Sequence, residues 1–300
     1  MNGMLDSNTV AKFLNGQLVG KNIKIVQPCS LNKPKPASIA FATSPEILNK
    51  IDFSDFHDVT ILLPTALPKT GAQPASAIIV ANPRLAFAKV LTAYFETKTE
   101  PKIADTAKIG RDVSIGCNVT IGEFCVLSDG VKVGDNSTLQ NHVVIDSNVS
   151  IGQHCTIKSH SVIGEPGFGI EKDENGDNHR IPHVGSVVVG DNVEIGTFNT
   201  ICAGTIDPTT IADFVKIDDH VHVGHNVTIG QNTIITACVQ ISGSVAIGQN
   251  VWISPRCAII DGIKVEDDVF IGIGALVTKD CSHGQSYAGS PARVLKRSQE

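Results

Sequence analysis

Aromatic residues are scarce in this chain: 5 % of 300 residues, with one Trp and two Tyr. Rings therefore cannot fill the core, and aliphatic side chains must do it. Long apolar runs are missing too. No segment approaches the roughly 18 residues that a membrane helix needs, and Met1–Asn15 lacks the charged-then-apolar pattern of a secretory leader. There is no basic excess: 24 Lys+Arg against 30 Asp+Glu leave a net charge of −6, which argues against nucleic acid or an anionic membrane as main partner. A dense cysteine framework is absent as well. Eight cysteines stand mostly alone, without CxxC spacing, which fits a reducing, cytoplasmic setting.

What is present is a repeat. From Ile103 the chain reads IADTAK, IGRDVS, IGCNVT, IGEFCV, LSDGVK, VGDNST, and an Ile, Leu or Val opens each six-residue unit up to Ile163. The phase returns at Val189, Ile195 and Ile201, then holds from Ile211 to Val277. A period of six cannot line one helix face. It suits short strands joined by tight corners, stacked as a solenoid in which neighbouring coils supply the core. Gly, Asn and Asp gather at the second to fourth positions, as corners require. The fifth position holds small residues, so Cys125, Cys155 and Cys257 read as core filler rather than nucleophiles.

The first hundred residues differ in kind. Asn8-Thr9 suggest a capped helix entering Val10, Phe13 and Leu14. Strand-like runs follow at Ile23–Val26, Ser38–Ala42, Val59–Leu63 and Ala77–Val80. Asn82-Pro83 opens a second helix with Leu85, Phe87, Val90, Leu91, Tyr94 and Phe95 as its apolar face. The expected organisation is mainly β: a small α/β domain at 1–100, a β-helix at 101–280 and a tail at 281–300.

Breaks in the repeat are where a site should be sought. The longest runs from Gly164 to Gly185, with Asn175-Gly176 as a hairpin tip, and reads as a lid over a cleft. The second spans Cys202 to Thr210. Histidines crowd Asp218-Asp219-His220-Val221-His222-Val223-Gly224-His225. Their HxHxxH spacing could suggest a metal, but the repeat points these positions in different directions, so none is expected. Cys202 and Cys238 lack an evident partner for nucleophilic chemistry.

The run VIGEPGFGIEKDENGDNHRIPHVGSVVVGDNVEIG, from Val162 to Gly196, and the run VKIDDHVHVGHNVTIG, from Val215 to Gly230, resemble the UDP-3-O-acylglucosamine N-acyltransferases of lipid A synthesis. The IAFATSP and NPRLAFAKVL segments resemble that family's N-terminal domain. The resemblance implies a left-handed parallel β-helix, a homotrimer with active sites between subunits, and His225 as the catalytic base. An amine attacking a thioester must shed a proton, which an imidazole accepts near neutral pH. Gly243 is the candidate backbone N–H for the oxyanion, and Asp218 or Asp219 could orient the imidazole. Phe168, His222, Asn226, Asp218 and Phe41 are expected at the substrate.

The sequence also departs from the family pattern. Phe41 is kept, but Ser44 and Ile47 replace an Asn and a stacking Tyr. Thr200-Ile201-Cys202-Ala203-Gly204 loses a charge pair, and Gly262 falls where the family has a second histidine. The chain stops soon after Tyr287–Arg293, an ending that resembles coenzyme A-dependent acetyltransferases, with Arg293 and Lys296 at the donor's phosphates. The expectation is an N-acyltransferase using acyl-coenzyme A on a UDP- or dTDP-linked amino sugar for surface polysaccharide, with no tightly bound cofactor. The alternatives are the family's own activity, with acyl carrier protein as donor, and a non-catalytic binding β-helix.

Overall fold

The computed structural model describes residues 5–44, 47, 58–65, 74–97 and 100–295. The chain divides into two compact units, Met1–Thr99 and Glu100–Glu300. Lys296, expected at a donor phosphate, lies outside the described residues, as do Lys98 and Thr99 near the end of the expected 1–100 domain.

The first unit is a five-stranded sheet with helical cover. Helix α1 is Ser7–Leu14, followed by strands β1 (Gln17–Gly20), β2 (Gln27–Pro28), β3 (Ser38–Phe41), β4 (Val59–Leu63) and β5 (Ser76–Ile79). The sheet order is β1-β5-β4-β3-β2, with β1 antiparallel to β5 and the remaining pairs parallel. Helix α2, Pro83–Val90, starts where Asn82 accepts from the Leu85 N–H. It continues as one wider turn over Leu91–Phe95, closed by the Glu96 N–H on the Leu91 carbonyl.

Three expectations need correcting here. The cap of α1 is Asp6, whose carboxylate accepts from the Thr9 N–H, not Asn8-Thr9. Ile23 and Ile25 are buried, but ladder pairing waits until Gln27. Helix α2 buries Ala86 and Val90, whereas Leu85 and Tyr94 face outward. β1 carries no alternation in sequence, since two exposed residues flank two partly buried ones.

The second unit is a parallel β-helix. Among its described residues, three sheets of eight, ten and nine strands run along the column. Each two-residue strand hydrogen-bonds to its equivalent one coil away. Val126 pairs with Val144 and Val144 with Val162, a step of 18 residues. The opening residue of each hexad points inward, and so does the fifth. Leu139, Ile145, Ile157, Ile195 and Ile235 are fully buried, flanked by Val143, Val149, Cys155 and Val193. Polar fifth residues bond within the column: the Ser137 hydroxyl donates to the Gly152 carbonyl at 2.8 Å and accepts from the Cys155 N–H at 2.9 Å, and the Asn199 side-chain oxygen accepts from the Val221 N–H at 2.6 Å. Cys125, Cys155 and Cys257 are buried in the same slot, their thiols held above the usual range by desolvation. Such thiols pack and do not attack.

The corners explain the third and fourth positions. The third is commonly Asp or Asn, whose side-chain oxygen accepts a backbone N–H of the preceding coil, as Asp219 does from Thr197 at 2.7 Å. The fourth takes a left-handed backbone at nearly every corner, for example φ 56° at Asn118 and 59° at Asn232. That conformation costs most residues about 1–2 kcal/mol, and Asn bears it more easily. Along one corner, however, the occupants are Phe124, His142, His160, Phe198 and His220. Their rings stack face to face at 4.7–5.3 Å, an arrangement worth about 0.5–1.5 kcal/mol per pair. The stack offsets the backbone strain and leaves a ladder of exposed rings.

The column core sets stability. Leu139→Ala should lower the unfolding free energy by about 2–5 kcal/mol, seen as a lower urea midpoint. A loss under about 1 kcal/mol would contradict an aliphatic stack as the source of stability.

Candidate active site

Both interruptions fall on one corner, in successive coils. The step between coils is 38 residues from Val162 to Thr200 and 22 from Thr200 to His222, instead of 18. The extra residues leave between Val162–Pro166 and Val187–Val189, and between Thr200–Ala203 and Thr209–Ile211. The next coil makes the same corner between His222–Val223 and Thr228–Ile229, and that corner carries His225 and Asn226. The register alone therefore brings the long insertion, the short one and His225 together.

In the long insertion Ile170–Lys172 pairs antiparallel with Asn178–Arg180, turning at Gly176, whose φ is +85°. Returning from this hairpin, the Ile181 N–H bonds the Gly169 carbonyl, and Val184 and Gly185 donate to Thr205 and Gly204 of the short insertion. Phe168 is 78 % exposed, with the Arg180 guanidinium 5.4 Å from its ring centre.

His225 is held by its neighbour. Its Nδ1 lies 2.9 Å from Asn226 Oδ1, which also accepts from the Thr205 N–H at 3.1 Å and hydroxyl at 2.9 Å. The amide Nδ2 donates to the Asp207 carbonyl at 3.3 Å, which fixes the amide orientation. An amide oxygen can only accept, so Nδ1 must carry the proton. Nε2 is left with its lone pair, as a base requires. Thr205 thus ties the insertion and the imidazole to one point.

Gly243, one coil on, closes the geometry. A Cβ there would lie 2.6 Å from both Nε2 and Cε1 of His225, so only glycine leaves the base open. Its carbonyl accepts from the Gly262 N–H. Among the described residues nothing accepts the Gly243 N–H, which suits a donor for a developing oxyanion. On the other side stands His183, its ring centre 5.0 Å from that of His225 at 67°.

Other expected residues fall elsewhere. Asp219 spends its carboxylate on Thr197, whose N–H holds it below the usual carboxylate range. It and Asp218 belong to the ladder corner with His220, so neither orients His225. Asn226 spends its amide oxygen on His225 and Thr205. His222 lies half-buried on the flat face between the two corners, and burial pushes its pKa down. His220, His222 and His225 thus diverge. Phe41 belongs to the first unit, tilted against Phe87 with ring centres 5.0 Å apart, in a cavity of about 300 Å³ that Ile47, Leu31 and Thr43 also line. Arg293 sits on the closing antiparallel pair with Tyr287–Ala288. It is five strand steps from Lys216, which shares the coil of His225, or about 24 Å along the column at ~4.8 Å per step. His183, Thr205 and Gly167 were missed in the sequence, since they lie in insertions where no period points to them.

A β-helix with a base, an open glycine corner and an inserted hairpin defines a hexapeptide-repeat transferase. The family described as Bacterial transferase hexapeptide (six repeats) matches residues 112–147, 130–165 and 208–243. A UDP-3-O-acylglucosamine N-acyltransferase of Campylobacter lari is 37 % identical over 298 residues, covering 96 % of this chain and 93 % of the relative. One from Coxiella burnetii is 35 % identical over 294 residues, covering 91 % and 84 %. Among solved structures, a UDP-N-acetylglucosamine O-acyltransferase from Moraxella catarrhalis superposes with TM-score 0.60 at 25 % identity, over 64 % of this chain and 73 % of that one.

The chain belongs to the UDP-3-O-acylglucosamine N-acyltransferase family and is an acyltransferase built on a left-handed parallel β-helix. These relatives favour the family's own activity over the acyl-coenzyme A reading.

Gly243→Ala should displace His225 and lower kcat by about 10²-fold or more, since a misplacement of 1 Å can cost that much. Unchanged steady-state kinetics in this variant would show that Nε2 is not the reacting atom.

Proposed function

We propose that this protein transfers an acyl group from acyl carrier protein to the amino group of UDP-3-O-acylglucosamine, in the cytoplasm, as a homotrimer. The observation that carries the reading is the free Nε2 of His225, held by Asn226 beside the uncommitted Gly243 N–H. The amine lone pair attacks the thioester carbonyl while Nε2 takes a proton from the nitrogen. The oxyanion is held by the Gly243 N–H. On collapse the C–S bond breaks, and the thiolate recovers the proton from His225. No covalent acyl-enzyme and no metal are called on.

The cavity beside Phe41 is the candidate seat of the nucleotide base. Ile47 lies where a stacking ring would otherwise be, so the base would meet an aliphatic wall and a phenylalanine edge. The exposed apolar residues of the insertions, Phe168, Val184 and Ile206, offer acyl-chain contacts. The ring ladder supports association of copies: Phe124 and Phe198 are 57 % and 53 % exposed on one line. Contiguous exposed apolar surface of this kind marks interfaces.

The test is mass spectrometry of products from UDP-3-O-acylglucosamine with acyl carrier protein or acyl-coenzyme A as donor, on protein whose mass in solution is measured in parallel. The account expects N-acylated sugar from the carrier-protein donor, three chains per particle, and a fall of about 10²–10⁴-fold in His225→Ala. Product from coenzyme A alone would overturn the carrier-protein donor. A fully active His225→Ala would remove the general base.

A further inference from the structure

His183 has a position that general-base catalysis by His225 does not use. Its Nδ1 lies 3.0 Å from the Ile181 carbonyl, which can only accept, so Nδ1 carries the proton and Nε2 is a bare acceptor. That Nε2 is shut off from solvent and has no hydrogen-bond partner among the described residues. Buried acceptors without a donor are rare and costly, and each calls for an explanation.

The space beside it belongs to the reaction site. A Cβ on Gly167 would lie 2.9 Å from His183 Nε2, 2.8 Å from His225 Cβ and 2.9 Å from His225 Cδ2. Glycine at 167 therefore lets the backbone lie against the point where the two rings meet edge to face. The two imidazoles are built alike: each Nδ1 is tied to an amide-type oxygen, Asn226 Oδ1 or the Ile181 carbonyl, and each leaves Nε2 with a lone pair. Two neighbouring acceptors, the open Nε2 of His225 and the buried Nε2 of His183, suit a group with two hydrogens to give.

We propose that His183 is the second acceptor for the attacking nitrogen, and that the pair selects an amine over a hydroxyl. This rests on the proposed N-acylation. As the hairpin opens and closes over the sugar, the amine gives one N–H to each Nε2 and turns its lone pair to the thioester. The N–C bond forms, His225 takes one proton, the C–S bond breaks and the thiolate takes that proton. The other hydrogen stays on nitrogen, held by His183, and remains in the amide product. A hydroxyl has one proton, satisfies His225 alone and leaves His183 unpaired.

The test compares wild type, His183→Leu and His183→Gln with UDP-3-O-acylglucosamine as substrate. The UDP-sugar bearing hydroxyl in place of the amine serves as competitive inhibitor. Thermal unfolding checks the fold. In His183→Leu, kcat/KM for the amine should fall about 10- to 100-fold, while Ki of the hydroxyl analogue moves less than about threefold. His183→Gln, which keeps an acceptor oxygen, should recover most of the loss. An equal loss for both compounds, or none for the amine, would overturn the proposal while leaving N-acylation standing. A wild type that does not acylate the amine from either donor would instead overturn the function and this inference with it.

Discussion

The structure of the second unit depends on a parallel register of 18 residues. Each short strand can pair only with its equivalent one coil away, because a slip by one residue would turn the aliphatic stack outward. That constraint fixes which residues share a corner, and it converts an insertion into a site. Extra residues at one corner cannot disturb the two sheets that resume after it, so they accumulate outside the column. Here two successive coils insert at the same corner, and the third presents His225 directly beside them.

Chemistry at this corner is a matter of hydrogen-bond directions. Asn226 receives Nδ1 of His225 and both donors of Thr205, and its own N–H reaches Asp207. Every bond in the set is satisfied in one sense only, which leaves a single tautomer. The glycines act by what they omit. Side chains at 167 or 243 would occupy the space on either side of the imidazole. Rigid sheets carry the base, while the hairpin that would admit and enclose a substrate is tied to the short insertion at Pro166, Val184 and Gly185.

Much of this was legible in the sequence. The six-residue phase gave the architecture because an aliphatic residue at every turn has no other solution, and loss of phase marked both insertions. Other features were hidden for physical reasons. The ladder corner breaks the Asn/Gly preference for a left-handed backbone. Phe124 and His142 look misplaced until the stack that compensates them is seen in three dimensions. Asp218 and Asp219 are close to His225 in sequence, yet they lie on a different corner, with the flat face of His222 between. Asn226 sits next to His225, yet sequence cannot say that its amide oxygen turns to the imidazole. His183 carries no periodic signal at all.

The central claim is that the β-helix corner delivers His225 as a neutral imidazole with its lone pair on Nε2. Neutron diffraction from the deuterium-exchanged resting enzyme near neutral pH would show this directly. The account predicts deuterium on Nδ1, shared with Asn226 Oδ1, and none on Nε2. Deuterium on Nε2 with Nδ1 bare would contradict it, because the atom facing Gly243 could then give a proton but not take one.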